Sequence, residues 1–345
     1  MIRGDDLRAT LVGFGGALFV LAALVWLVGI GDTIDALSGA SLPVVLGIVA
    51  IAACWLSAWG MSLHTVLGVL GAPITVPAAV LVFAGATFAN NVTPFGQAGG
   101  EPVSALLISR ATDREYETGL AAIASVDALN FVPSIALALV GLSYFASTIT
   151  FTENLEYAAA AVVGFAVAVA IAVVLGWRNR YRLERIAVDW LAPSLQRLGE
   201  LVPRRSAPSR TALEARIEGF FAAVERVATN PRGLLFALVF STAGWVGLAT
   251  SLWLSLFALG YAVSPAVVLV AIPTGAMASA MPLPGGLGGV EFVLGALVTA
   301  TTGIPLATVT AAVLIHRGAT YLLPTVVGGG TAAVLADRSR RPSQQ

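Results

Sequence analysis

The chain has no lysine, one cysteine and two histidines, and only 11% of its 345 residues are charged. Each scarcity closes off a class of protein. A soluble domain carries about 25% charge, so a chain with 11% charged and 57% hydrophobic residues has lipid as its main solvent. The single cysteine, Cys54, lies in an apolar run and permits neither an intrachain disulfide framework nor a thiolate metal site. Two histidines without an HExxH pairing argue against a catalytic metal. No glycine-rich stretch carries the Lys-Ser/Thr of a phosphate-binding loop or follows a strand, so nucleotide binding is not expected. No cofactor, no metal and no nucleic acid is expected as a partner.

What is present is apolar chain. Its length matches roughly eight membrane segments of about 20 residues with their connections. The expected fold is an all-α integral membrane protein, with residues 1–345 forming one membrane domain. Runs at 11–30, 42–63, 118–147, 158–177, 233–258 and 306–335 read as six full transmembrane helices. The first of these resembles a signal peptide in length, but Asp5 and Asp6 stand beside Arg3 and Arg8, and no small-residue cleavage site follows Trp26. It reads as a retained helix.

Two further apolar stretches, 76–109 and 266–302, are interrupted by Asn90-Asn91-Val92-Thr93-Pro94-Phe95-Gly96-Gln97-Ala98-Gly99-Gly100-Glu101 and by Met281-Pro282-Leu283-Pro284-Gly285-Gly286-Leu287-Gly288-Gly289-Val290-Glu291. A broken backbone at membrane depth has unpaired N–H and C=O groups, tolerated only where protein or a wet cavity satisfies them. Both stretches therefore read as re-entrant hairpins. The N-terminal helices, 11–177, contain the first and the C-terminal helices, 233–335, the second.

All 19 basic residues are arginine, and their positions give orientation. They precede the first span, follow the first broken stretch, fill 178–232 with eleven, and close the chain, whereas loops 31–41, 148–157 and 259–265 have none. If both hairpins return to the side they left, every arginine-bearing segment falls on the cytoplasmic side, as the positive-inside rule requires. Both termini are then cytoplasmic, in a multi-pass plasma-membrane protein. The two hairpins would enter from opposite faces, which with their related Gly/Pro/Glu patterns suggests an inverted repeat with its site at the midplane. Segment 178–232 reads as basic and amphipathic, with surface helices over Leu183–Leu198 and Thr211–Ala228, lying on anionic lipid or docking a partner.

The ionisable residues inside apolar segments are the candidate functional groups, since each costs about 2.5–3.5 kcal/mol to insert. Glu101 and Glu291 either cap the helices that restart after the breaks or take part in gating or ion coupling. Arg317 either pairs with one of them or receives a lipid phosphate in its planar donor fork. Asp127 and Asn130 share a face of span 118–147 and join the gating or coupling set, together with His316. Asn90, Asn91 and Gln97 can satisfy broken backbone. The backbone of Gly99, Gly100, Gly285, Gly286, Gly288 and Gly289, with Asn90, Asn91 and Arg317, forms the candidate substrate-binding set.

The ordered series Asn90-Asn91-x-x-Pro94-x-Gly96-x-x-Gly99-Gly100-Glu101, Pro284-Gly285-Gly286-Leu287-Gly288-Gly289-x-Glu291, then Arg317 with Tyr321 and Pro324, resembles the membrane region of lysylphosphatidylglycerol synthases. This flippase-like family also occurs as stand-alone proteins, and the likeness runs from about 11 to 335. In that family a separate soluble domain performs aminoacyl transfer and the membrane region moves the lipid. The resemblance implies translocation of an anionic, phosphate-bearing lipid or a polyprenyl-phosphate-linked glycan, without synthase or other enzyme activity. Membrane lipids are the implied partners, with a lipid-modifying enzyme as a further one. An ion-coupled transporter of a small solute, and an intramembrane transferase using Glu101 or Asp127 as base, are the alternatives; oligomeric state is left open.

Overall fold

The structure is a computed structural model, describing residues 30–93, 96–148, scattered positions between 163 and 186, 210–281 and 283–338. The expected span 11–30, save its last residue, most of 158–177 and most of helix Leu183–Leu198 lie outside the described residues. Among those described, every regular element is helical: α1 (Ile30–Ser38), α2 (Leu42–Val69), α3 (Val76–Val92), α4 (Gly96–Thr112), α5 (Tyr116–Thr148), α6 (Arg210–Ala228), α7 (Pro231–Ala258), α8 (Pro265–Met277), α9 (Gly289–Thr302), α10 (Leu306–Arg317) and α11 (Leu323–Arg338). Helix α10 runs into α11 through one wide π-helical turn, Gly318–Leu322.

Five helical stretches are long and apolar enough to cross a membrane. Four coincide with expected spans: α2, α5, α7 and the run from α10 into α11. The fifth, Pro284–Thr302, is the second arm of the 266–302 stretch with its short 3-10 turn included. Its regular part, α9, has 14 residues, about 21 Å at the helical rise, against a hydrocarbon core about 30 Å thick. Large apolar side chains on the outer surface, among them Leu42, Leu46, Leu235, Phe236, Phe292 and Val326, are exposed. In a protein whose spans are this apolar, such a surface suits lipid tails.

Both broken stretches fold back on themselves. In the first, Gly100 lies against Asn90 and the Ser104 hydroxyl reaches the Ala86 carbonyl at 3.5 Å, so α3 and α4 are antiparallel. In the second, Gly275 on α8 packs on Leu294 on α9. The arms begin at signals visible in the sequence: Pro77 and Pro265 occupy first-turn positions, where a missing N–H costs nothing.

The long helices α2 and α7 cross antiparallel at the centre. Trp59 donates its indole N–H to the Ser241 carbonyl at 3.1 Å, Ser62 donates to the Ala237 carbonyl, and Ser41 N–H donates to the Ala258 carbonyl. Gly244 makes room for the Trp59 ring, and Trp55, Trp59 and Trp245 interlock edge to face. One apolar cluster gathers around α2, α3, α4 and α5, the other around α5, α7, α8, α9 and α10.

The two halves repeat the same local chemistry in the same order. Helix α2 ends at Gly71, left-handed at φ 72°, and α7 ends at Gly260, left-handed at φ 88°. Between them lies the same pair of helix-closing bonds: Gly71 to Gly68 and Ala72 to Leu67, then Gly260 to Phe257 and Tyr261 to Leu256. A ring nitrogen of His64 bonds the Ile74 carbonyl, and the ring nitrogen of Trp253 bonds that of Val263. After the breaks, Thr112 bonds back to Ile108 as Thr302 does to Val298, and Asp113 and Gly303 follow in left-handed conformation. The numbering offset is constant up to the breaks and one residue larger beyond them. Helix α3 packs on α11 while α8 packs on α5, the exchange an inverted repeat demands.

Helix α6 departs from a purely lipid-facing reading of the basic segment. Its Ile217, Ala223 and Val227 are buried, and Ala223 and Val227 join the cluster of α2–α5, while Arg216 meets Glu117 at 3.4 Å. Its apolar stripe packs on the bundle.

Candidate functional site

The tips of the two hairpins meet. A side chain on Gly96 would stand 3.0 Å from the Ser279 carbonyl, and one on Gly285 would overlap the Tyr321 ring and come within 3.1 Å of the Asn91 Oδ1. Residues of both breaks and of the α10–α11 junction therefore share one small volume, which only glycine at 285, at φ 57°, can complete.

Arg317 closes α10 at this junction. Its Nε donates to Glu291 Oε1 at 2.6 Å and its Nη2 donates to the Gly285 carbonyl at 2.9 Å. The other carboxylate oxygen of Glu291 accepts the Gly288 N–H at 2.6 Å, the third-position capping geometry of a helix start. Glu291 thus satisfies a broken-backbone donor and neutralises the guanidinium. Its side chain is 3% exposed against 17% for Arg317, so the arginine is the more exposed partner of the pair. A guanidinium has five N–H donors, and two are engaged among the described residues. The Tyr321 ring lies 5.0 Å from its central carbon, within cation–π range.

Asn91 ties the first break to the same place. Its amide donates to Thr325 Oγ1 at 2.9 Å and to the Tyr321 carbonyl at 3.4 Å, and its own carbonyl accepts the Tyr321 hydroxyl. The π turn widens the helix at Tyr321, and such bulges recur at functional sites.

Glu101 departs from the capping reading. Helix α4 begins at Gly96, five residues ahead of it, so Glu101 lies within the helix, before Pro102. Gly119 of α5 packs on the Ala105 carbonyl of α4, and Glu101 and Gln97, one and two turns earlier on that face of α4, lie along the antiparallel path toward Asp127, whose electrostatic environment both enter. Among the described residues, one oxygen of Asp127 is buried without a partner, as is Oδ1 of Asn90, which lies against Gly100. A second polar group is thus built from α4 and α5.

The remaining candidates serve as internal ties. His316 bonds Ser251 on α7 through Nδ1 at 2.9 Å, and Asn130 accepts from Ser241 on α7. Neither is brought into the Arg317 group. Gly100, Gly286 and Gly289 are close-packing points, against Asn90, Ser279 and Met281. Gly288 N–H is taken by Glu291 and Gly286 N–H by the Leu283 carbonyl; Gly99 is half-buried. Tyr321 was legible only as a motif companion and Thr325 was not singled out, although Tyr321 stands one turn beyond Arg317.

Two folded-back helix pairs from related halves, meeting around a buried ion pair in an apolar bundle, define a polytopic α-helical membrane protein with transporter-like architecture. The chain belongs to the family described as the lysylphosphatidylglycerol synthase TM region, which matches residues 11–328. It is 27% identical over 339 residues to a UPF0104 membrane protein of Methanothermobacter thermautotrophicus, covering 94% of this chain and 92% of that one. It is 24% identical over 315 residues to the UPF0104 membrane protein PH1989 of Pyrococcus horikoshii, covering 89% and 91%.

Proposed function

We propose that the protein moves an anionic, phosphate-bearing lipid, a phospholipid or a polyprenyl-phosphate-linked glycan, between membrane leaflets. The observation that carries this reading is Arg317: a partly exposed guanidinium held by Glu291 and Gly285 at the meeting point of both breaks, with two of its five donors engaged among the described residues. Planar N–H forks suit phosphate oxygens. A headgroup engaging Arg317 competes for a cation that otherwise neutralises Glu291, which loosens the contact between the second break and α10. Passage then requires the two hairpin tips to part, a rocking of one half against the other. The reading involves no covalent chemistry and sets the protein in the plasma membrane with cytoplasmic termini, where a lipid-modifying enzyme would be a natural partner.

The test is reconstitution into liposomes with fluorescent lipids of several headgroup classes. Wild type is expected to move a phosphate-bearing lipid faster than Arg317→Ala and to leave its mass unchanged. Equal rates for both proteins across every class would end the reading, and a covalently altered lipid would replace it with the transferase alternative. Uptake of a water-soluble solute independent of headgroup would favour the small-solute transporter.

A further inference from the structure

The constant offset beyond the breaks equates Thr112 with Thr302, Asp113 with Gly303, Glu101 with Glu291 and Asp127 with Arg317. In the second half the carboxylate meets a guanidinium; in the first, the corresponding residues are both acids. We propose that the first half binds an exchangeable monovalent cation, a proton or an alkali ion, between Glu101 and Asp127, where the second half carries a cation of its own.

The surroundings call for one. Asp127 Oδ2 is buried without a partner among the described residues, and Glu101, one turn before Ala105 on the face of α4 that packs on Gly119 of α5, adds a second, half-buried carboxylate. Uncompensated carboxylates in an apolar interior are expensive. Among the described residues packed around α5, none supplies a positive charge there. Arg110 on α4 stands in its last turn, nine residues beyond Glu101, helix α8 has no ionisable residue, α7 has only Arg232 in its first turn, and His64 on α2 is bonded to Ile74; on α6, Arg216 meets Glu117 at the start of α5 and Arg226 stands in the last turn. The donors are all oxygen atoms of hard character, which suits a proton or an alkali ion and not a soft metal. As a binding site this stands alone; as the coupling site of a translocator it rests on the proposed function.

The test is thermal unfolding of the purified full-length protein in detergent, titrated with sodium or potassium chloride against choline chloride at equal ionic strength, and repeated from neutral to acid pH. A ligand that binds only the folded state raises the midpoint with its concentration. Wild type is expected to show a rise with an alkali ion or with acid that choline does not reproduce, and the responding arm names the ion. Asp127→Asn and Glu101→Gln are expected to lose that response. Asp127→Arg, which gives the first half the pairing of the second, is expected to unfold at a midpoint independent of the ion. No specific response in wild type, or an unchanged one in Glu101→Gln and whichever Asp127 variant folds, overturns the proposal. Because unfolding reads binding alone, a null result with lipid movement intact removes the cation site and leaves translocation standing.

Discussion

The Tyr321 hydroxyl donates to the Asn91 carbonyl at 2.9 Å, joining the start of the first break to the span that follows the second hairpin. The Asn91 amide returns bonds to the Tyr321 carbonyl and to Thr325, so the link is reciprocal. Tyr321 also covers Gly285 and faces Arg317. One aromatic side chain therefore holds both tips closed over the ion pair, and any motion that parts them must break these bonds.

Gly285→Ala is expected to destabilise the protein by more than the about 1–3 kcal/mol that left-handed backbone costs a non-glycine residue, because the new methyl also overlaps the Tyr321 ring. Gly303→Ala is the control. It stands at φ 69° with open space around its Cβ position, and its counterpart Asp113 already adopts φ 53°. Thermal unfolding of both variants, and of Gly285→Ala combined with Tyr321→Ala, checks this: the Tyr321 truncation should recover the difference between the two glycine variants.

Breaking the Glu291–Arg317 pair from either side strands a charge, at about 3–5 kcal/mol for a buried pair. The two sides should differ. Arg317→Ala strands a carboxylate that is 3% exposed, whereas Glu291→Gln leaves a guanidinium that is 17% exposed and able to turn outward, and the amide can still accept the Gly288 N–H. Arg317→Ala is expected to cost more, with the double variant costing less than the two singles together. Equal and additive costs in denaturant unfolding would show that the pair contributes no coupling.

Single cysteines introduced at residues 35 and 153, in a Cys54→Ala background, should react from the same, outer face with a membrane-impermeant thiol reagent. The expectation follows from arginine-free loops facing outward and from both hairpins returning to their side of entry. Labelling from opposite faces would mean that the first broken stretch, the one between these positions, is a full crossing.

The four described spans and both broken stretches were legible in the sequence because their causes are local. Run length determines what can cross a bilayer, and proline and glycine interrupt a helix wherever they fall. The membrane class and the family likeness, resting on the same breaks and on Arg317, were legible for that reason. Pro94 and Glu101 have the same spacing as Pro284 and Glu291, but the pairs Gly99-Gly100 and Gly288-Gly289 are displaced by one residue within that frame, so sequence alone suggested a repeat but did not align it. That took the repeated backbone features, Gly71 with Gly260 and Asp113 with Gly303.

From its sequence alone this chain is a helical membrane protein with two interrupted hairpins, since hydrophobic length and backbone chemistry act within a few residues. Only the tertiary structure decided that Arg317 pairs with Glu291 and not Glu101, that Glu101 lies inside a helix instead of capping one, and that His316 and Asn130 tie helices to α7. Each of those choices depends on which helix faces which across the bundle. Long-range packing sets that, and no spacing along the chain encodes it.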